Sequence, residues 1–227
     1  MKPTEHVIIV AGGKGTRMGS IMPKQFLELN GLPILFHTVN AFFRYSEKIN
    51  VIVVLPQDDL PLWNELIQKH HFQKSVMLQT GGATRFQSVK RGLEKIDGNG
   101  LVAIHDGVRP LVSESIIAES FRIANEKRSA VACVPLKESI RMNDGAHTKA
   151  MDRTQFRLIQ TPQTFDVQLI KDAYQIAEDP TLTDDASVAE RAGHAITLFE
   201  GSYTNLKITT AEDLVIAQAL LAHTAAL

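Results

Sequence analysis

Short runs of consecutive apolar residues alternate along the chain with segments whose apolar positions recur at helical spacing. Residues 6–11 (His6-Val7-Ile8-Ile9-Val10-Ala11) form such a run, the pattern of a strand buried on both faces. Pro33 stands where a helix begins, and Ile34, Leu35, Thr38, Val39, Ala41 and Phe42 make an apolar stripe after it. A second strand at 50–55 precedes a helical pattern through Trp63, Leu66 and Ile67. A short third strand is expected at 75–79. A helix follows over 85–96, with Phe86, Val89, Leu93 and Ile96 on one face. The fourth strand falls at 101–105, Ser113 opens the next helix, and the fifth strand falls at 128–134. Residues 211–221 read as an amphipathic helix packed on the core.

Strand, loop and helix repeated in this order predict a single α/β domain over 1–227. Its sheet is open, mostly parallel and Rossmann-like, with helices on both faces. Such sheets bind ligands beyond the carboxyl ends of their strands. The loops after the first, third and fourth strands, 12–24, 81–88 and 106–110, are rich in Gly, Arg or Asp and are expected to line one crevice. The segment 136–164 breaks the alternation. It is polar and carries the turn signal Asn143-Asp144-Gly145, so a β-hairpin arm projecting from the sheet is expected there.

Charge changes the picture by exclusion. A formal net charge of −1 offers no general attraction for nucleic acid or anionic lipid, so an anionic ligand needs locally placed cations and backbone amides. No apolar run approaches the roughly 20 residues of a membrane span. Met1-Lys2-Pro3 leads into the first strand without a leader pattern, and a cytoplasmic location is expected. The single cysteine, Cys133, lies in an apolar run with no adjoining base or cation. It reads as a buried, inert thiol and precludes an intrachain disulfide.

The first loop reads Ala11-Gly12-Gly13-Lys14-Gly15-Thr16-Arg17-Met18-Gly19, then Pro23-Lys24-Gln25-Phe26. It lacks the spacing of a Walker loop and of a dinucleotide fingerprint. A glycine-rich turn after a buried strand nonetheless lets backbone amides approach phosphate oxygens. Arg17 and Lys24 flank it with fixed charge, which makes a triphosphate site.

These residues, with Gly81-Gly82 and Arg85, Ser88 and Val89 behind them, resemble the nucleotide loops of the 2-C-methyl-D-erythritol 4-phosphate cytidylyltransferase family. His105-Asp106-Gly107-Val108-Arg109-Pro110, Gln160-Thr161-Pro162-Gln163, Thr183-Asp184-Asp185-Ala186-Ser187 and Asn205-Leu206-Lys207-Ile208-Thr209 follow in the family's order. The chain departs from the common pattern at Ala11-Gly12, where two alanines are frequent, at Gly107 (frequently Ala), and at Glu138-Ser139 (frequently Asp-Thr).

The resemblance implies that CTP is bound by Ala11, Gly12, Gly13, Gly15, Gly81, Gly82, Arg85 and Ser88. It implies that Arg17, Lys24 and Lys207 act on the reacting phosphates. Asp106 would hold Mg²⁺, and Asp106, Arg109, Ser139, Arg153, Thr161, Thr183 and Lys207 would contact a polyol phosphate. Arg153 would reach the neighbouring subunit's site from the 136–164 arm, which implies a homodimer. On the residues alone, Arg153 and Arg157 read as a solvated hairpin face.

The implied chemistry suits a site without a Ser–His or paired-carboxylate arrangement. A phosphate monoester attacks the α-phosphorus of CTP and pyrophosphate leaves. With a second pKa of about 6, the monoester is already ionised near neutrality. The barrier is the approach of two anions, so in-line positioning and charge neutralisation are what the protein must supply. Two alternatives are a ribitol-5-phosphate cytidylyltransferase, which shares the glycine-rich loop and the His-Asp-x-x-Arg-Pro motif but tends to differ at 183–187, and a non-catalytic CTP-binding regulator on the same fold.

Overall fold

The computed structural model describes residues 3–12 and 22–225. The central strands are β1 (Glu5–Val10), β4 (Asn50–Leu55), β5 (Met77–Thr80), β6 (Leu101–Asp106), β7 (Ser129–Pro135), β10 (Arg157–Asp166) and β11 (Leu198–Glu200). They form one seven-stranded sheet in the order β11-β7-β10-β6-β1-β4-β5. Two small hairpins flank it: β2 (Glu28–Leu29) with β3 (Leu32–Pro33), and β8 (Ile140–Asn143) with β9 (Thr148–Met151). The helices are α1 (Ile34–Tyr45), α2 (Leu60–Lys69), α3 (Arg85–Leu93), α4 (Glu114–Lys127), α5 (Val167–Ala173), α6 (Asp185–Arg191) and α7 (Ala211–Ala225).

Every pairing in the central sheet is parallel except those of β10, which runs antiparallel to both β6 and β7. Consecutive apolar residues of β1 serve opposite faces. Val7 and Ile9 pack with α1, α2 and α4 through Phe42, Trp63 and Phe121. Ile8 packs on the other side with α3, α5 and α6 through Val89, Ile170 and Val188. This is why β1 has no polar alternation: the side chains of both registers leave water. The starts of α3, α4, α5 and α6 are fixed by side-chain caps from Thr84, Ser113, Asp166 and Asp184. The Ser113 hydroxyl accepts from Ile116 N at 3.2 Å, and Asp184 and Ser187 form a reciprocal capping box on α6. Losing one such cap typically costs about 1 kcal/mol.

β1 lies between β4 and β6, so the chain's crossovers diverge there and open a crevice beyond Val10 and Asp106. The segment expected as an arm over 136–164 divides in two. The β8–β9 hairpin is the arm, whereas 157–164 belongs to β10 in the middle of the sheet. The connection from β7 through the arm brings the chain straight back beside it, pairing Leu158 with Val134, and such a return gives antiparallel neighbours. The C-terminal helix also differs from expectation. Ala217 is buried and Leu214 and Leu221 pack on Leu29, Ile34 and Ile208, but Val215 and Ile216 are exposed, so its apolar residues are not confined to one face. Cys133 is free and buried in β7, and burial pushes its thiol pKa up.

Candidate active site

The site is organised around the end of β6. Gly107 follows Asp106, and its N–H donates to Val10 O at 2.8 Å, closing the turn against β1. A Cβ on Gly107 would stand 2.8 Å from the Ala11 Cβ, so this close approach calls for glycine here. The Asp106 N–H donates to Thr161 Oγ1 at 3.0 Å, tying β6 to β10 at the crevice. His105 is fully buried. Its Nε2 lies 3.3 Å from Arg109 O, and burial pushes its pKa down to about 3, so a neutral imidazole braces the turn.

Three cations converge on the Asp106 carboxylate. Oδ2 meets Arg109 Nε at 3.1 Å and Lys207 Nζ at 3.2 Å, while Oδ1 lies 3.9 Å from Arg85 Nε. Burial alone would raise the Asp106 pKa. Lys207, Arg85 and Arg109 outweigh it and hold the carboxyl well below the usual carboxylate range. Arg109 is fastened in turn by donating to Asn205 O at 2.8 Å, and Asn205 donates to Thr161 O at 2.8 Å. Arg85 makes a bidentate pair with the buried Asp185, at 2.9 and 2.6 Å. Breaking one partner of such a buried pair costs roughly 3–5 kcal/mol.

Two cavities meet at these residues. One, of about 220 Å³, is lined by Ala11, Gly12, Lys24, Gly82 and Ser88 together with Arg85, Asp106 and Lys207. The second, of about 280 Å³, is lined by Arg109, Thr161 and Thr183 together with the same Arg85, Asp106 and Lys207. Those sequence-derived residues that line a cavity thus fall into two lobes with a shared wall. Gly81 lies beneath the first lobe against Ser88, whose hydroxyl accepts from Gly82 N at 3.1 Å and donates to Thr84 O at 2.8 Å. A Cβ on Gly82 would stand 2.3 Å from the Gln87 Cβ, which explains the second glycine of the pair.

Some expected members do not join this cluster. Ser139 and Arg153 are exposed on the arm and line neither lobe; the Arg153 guanidinium donates to Lys137 O. Gly13, Gly15 and Arg17 lie outside the described residues. Other residues were not anticipated. Gln25 lines the first lobe, with its Nε2 on Asp59 at 2.8 Å and its buried Oε1 without a hydrogen-bond partner among the described residues. Gln160, Gln163 and Asp184 line the second. Their motifs were visible in the sequence, but short polar tracts do not declare which members face a ligand.

Among the described residues no three His, Cys, Asp or Glu side chains cluster as a metal cage. Asp106 nevertheless fits magnesium, which takes one or two carboxylates and draws its other ligands from phosphate and water. Its Oδ1 is the less engaged oxygen, with Arg85 Nε beyond hydrogen-bond distance at 3.9 Å.

The model of the family described as IspD, 2-C-methyl-D-erythritol 4-phosphate cytidylyltransferase, matches residues 5–223. A relative of that name from Bacteroides thetaiotaomicron is 45% identical over 96% of this chain and 99% of its own. One from Halalkalibacterium halodurans is 41% identical over 96% of each. The solved 4-diphosphocytidyl-2C-methyl-D-erythritol synthase of Anaerococcus prevotii superposes with a TM-score of 0.82 at 29% identity, covering 96% of each chain. The solved cytidylyltransferase of Thermus thermophilus gives 0.75 at 31% identity, over 97% of this chain and 98% of its own. The chain belongs to the 2-C-methyl-D-erythritol 4-phosphate cytidylyltransferase family.

Proposed function

We propose that the chain transfers CMP from CTP to 2-C-methyl-D-erythritol 4-phosphate. The products are 4-CDP-2-C-methyl-D-erythritol and pyrophosphate, on the non-mevalonate route to isoprenoid precursors. The observation that carries this reading is the pair of lobes joined at Arg85, Asp106 and Lys207. A reaction between two anionic substrates needs two adjacent sites with fixed cations where they meet.

In this reading the first lobe holds CTP, with Gly12, Gly82 and Ser88 around the nucleoside and Lys24 and Arg17 on the triphosphate. Arg109, Thr161 and Thr183 hold the polyol phosphate, and Lys207 faces both. The acceptor phosphate arrives ionised, so these side chains need only align it with the α-phosphorus and balance charge. Magnesium, when bound, would neutralise phosphate charge, and Asp106 is the residue that would hold it. The arm makes the protein a homodimer, with Arg153 serving the partner's acceptor site and Ser139 standing at the arm's base. Among the described residues no helix is long and apolar enough to cross a membrane.

Pyrophosphate release with CTP and a panel of acceptors tests the substrate. Turnover should be fastest with 2-C-methyl-D-erythritol 4-phosphate. Faster turnover with ribitol 5-phosphate would move the assignment to that acceptor, and CTP binding without turnover would make the chain a nucleotide-binding regulator.

A further inference from the structure

Arg85 forms part of the wall between the two lobes, and its position is set by groups that line neither of them. Its Nη1 and Nη2 donate to Asp185 Oδ1 and Oδ2 at 2.9 and 2.6 Å. The Asp185 side chain is completely buried, and Oδ1 also accepts from the Tyr174 hydroxyl at 2.6 Å. Tyr174 is itself buried at the end of α5, with its ring 4.7 Å from that of Phe86, the neighbour of Arg85 on α3.

We propose that Asp185 and Tyr174 are positioning residues for nucleotidyl transfer, acting through Arg85. The proposal rests on the function given above. Asp185 is not needed to start α6, because the neighbouring Asp184 side chain already caps Ser187 N at 2.9 Å and Ser187 returns the bond. Its carboxylate is spent on Arg85 instead. A bidentate carboxylate fixes the plane of a guanidinium as well as its place. It also keeps Arg85 from closing on Asp106, whose Oδ2 already accepts from Arg109 and is ion-paired with Lys207. The remaining guanidinium N–H groups stay available to bound phosphate. The clamp further couples the lobes. Gln163 of β10 donates to Asp184 Oδ2 at 2.9 Å and accepts from Ala186 N at 2.8 Å, so the α6 end that holds Arg85 is registered to the strand carrying Thr161.

A double-mutant cycle on kcat separates positioning from a merely structural role. Asp185→Asn leaves Arg85 without its counter-charge and risks the fold, so Tyr174→Phe, which removes one hydroxyl, is the second variant. In the native background Tyr174→Phe should lower kcat about fivefold or more, with the KM for CTP within about twofold, as expected for a shifted group at the reacting centre. In an Arg85→Lys background, which keeps a counter-charge beside the buried Asp185 but loses the guanidinium fork, the same change should alter kcat by less than about twofold, because the group it positions is gone. Full kcat in Tyr174→Phe, or equal fractional losses in both backgrounds, would overturn the assignment while leaving the enzyme's function intact. A wild-type protein that releases no pyrophosphate from CTP with any acceptor would overturn both.

Discussion

Lys207 Nζ lies 3.2 Å from Asp106 Oδ2, joining the loop after β11 to the end of β6. Arg109 takes the same oxygen at 3.1 Å, so the carboxylate organises the cations of both lobes. Asp106→Asn should therefore raise the Mg²⁺ concentration needed for half-maximal rate and lower kcat at saturating metal. A metal titration that superposes on that of the wild type would leave Asp106 as an organiser of Arg109 and Lys207 only.

Lys24 is buried in a short 3₁₀ turn beside Gln25 and Phe26, and it lines the nucleotide lobe. Lys24→Met keeps the apolar stem and removes the ammonium. It should cost about 100-fold in kcat, the scale for deleting a donor aimed at developing charge, with thermal stability maintained. Unchanged turnover would show that the charge takes no part in the reaction.

His6 offers a stability test far from the site. It is buried in β1, its Nε2 has no hydrogen-bond partner among the described residues, and burial, aided by Lys171, lowers its pKa below 6.5. The unfolded chain binds this proton below pH 6.5 and the folded chain resists it. The contribution of His6 to folding stability is therefore fully present above pH 6.5 and falls as the pH drops below it, by up to roughly 1.4 kcal/mol per pH unit for one proton. His37, also lowered first by burial, has the same sign. Denaturant melts of wild type and His6→Gln at pH 8 and pH 5.5 should show a smaller loss in the variant. Equal losses would mean that His6 titrates in the fold as it does in the unfolded chain.

The proposed dimer makes a quantitative prediction through Arg153. If Arg153 serves the partner's site, Lys24→Ala and Arg153→Ala homodimers are both nearly inactive. In a mixed dimer, one site collects both lesions and the other is intact. Co-expression with random pairing should then restore about a quarter of wild-type activity. Mixed dimers without recovery would place Arg153 in its own subunit's site or outside any site.

Continuous apolar runs made β1, β4 and β6 legible, because strands covered on both faces have no other way to read. β10 escaped for the opposite reason. Gln160, Thr161, Gln163 and Thr164 are buried polar residues in mid-sheet, satisfied by partners such as Ser202, Asp184 and Ser120 that no local pattern reveals. The same limit applied to the site. Asp106, Arg109 and Lys207 stand in motifs that resemble a known family's, and the fold brings them together. Tyr174 stands in no motif, and its bond to Asp185 depends on how α5 packs beside α6.

The central claim is that CTP is cleaved between its α- and β-phosphates and that the nucleotidyl group goes to the acceptor. CTP labelled on the α-phosphorus, incubated with Mg²⁺ and 2-C-methyl-D-erythritol 4-phosphate, should deliver its label to a cytidine diphosphate ester of the acceptor. CTP labelled on the γ-phosphorus should deliver its label to pyrophosphate, and UTP should react far more slowly, since a site that hydrogen-bonds the exocyclic amine rejects a base lacking it. Release of the α-label as free CMP, or equal transfer from UTP, would contradict the account.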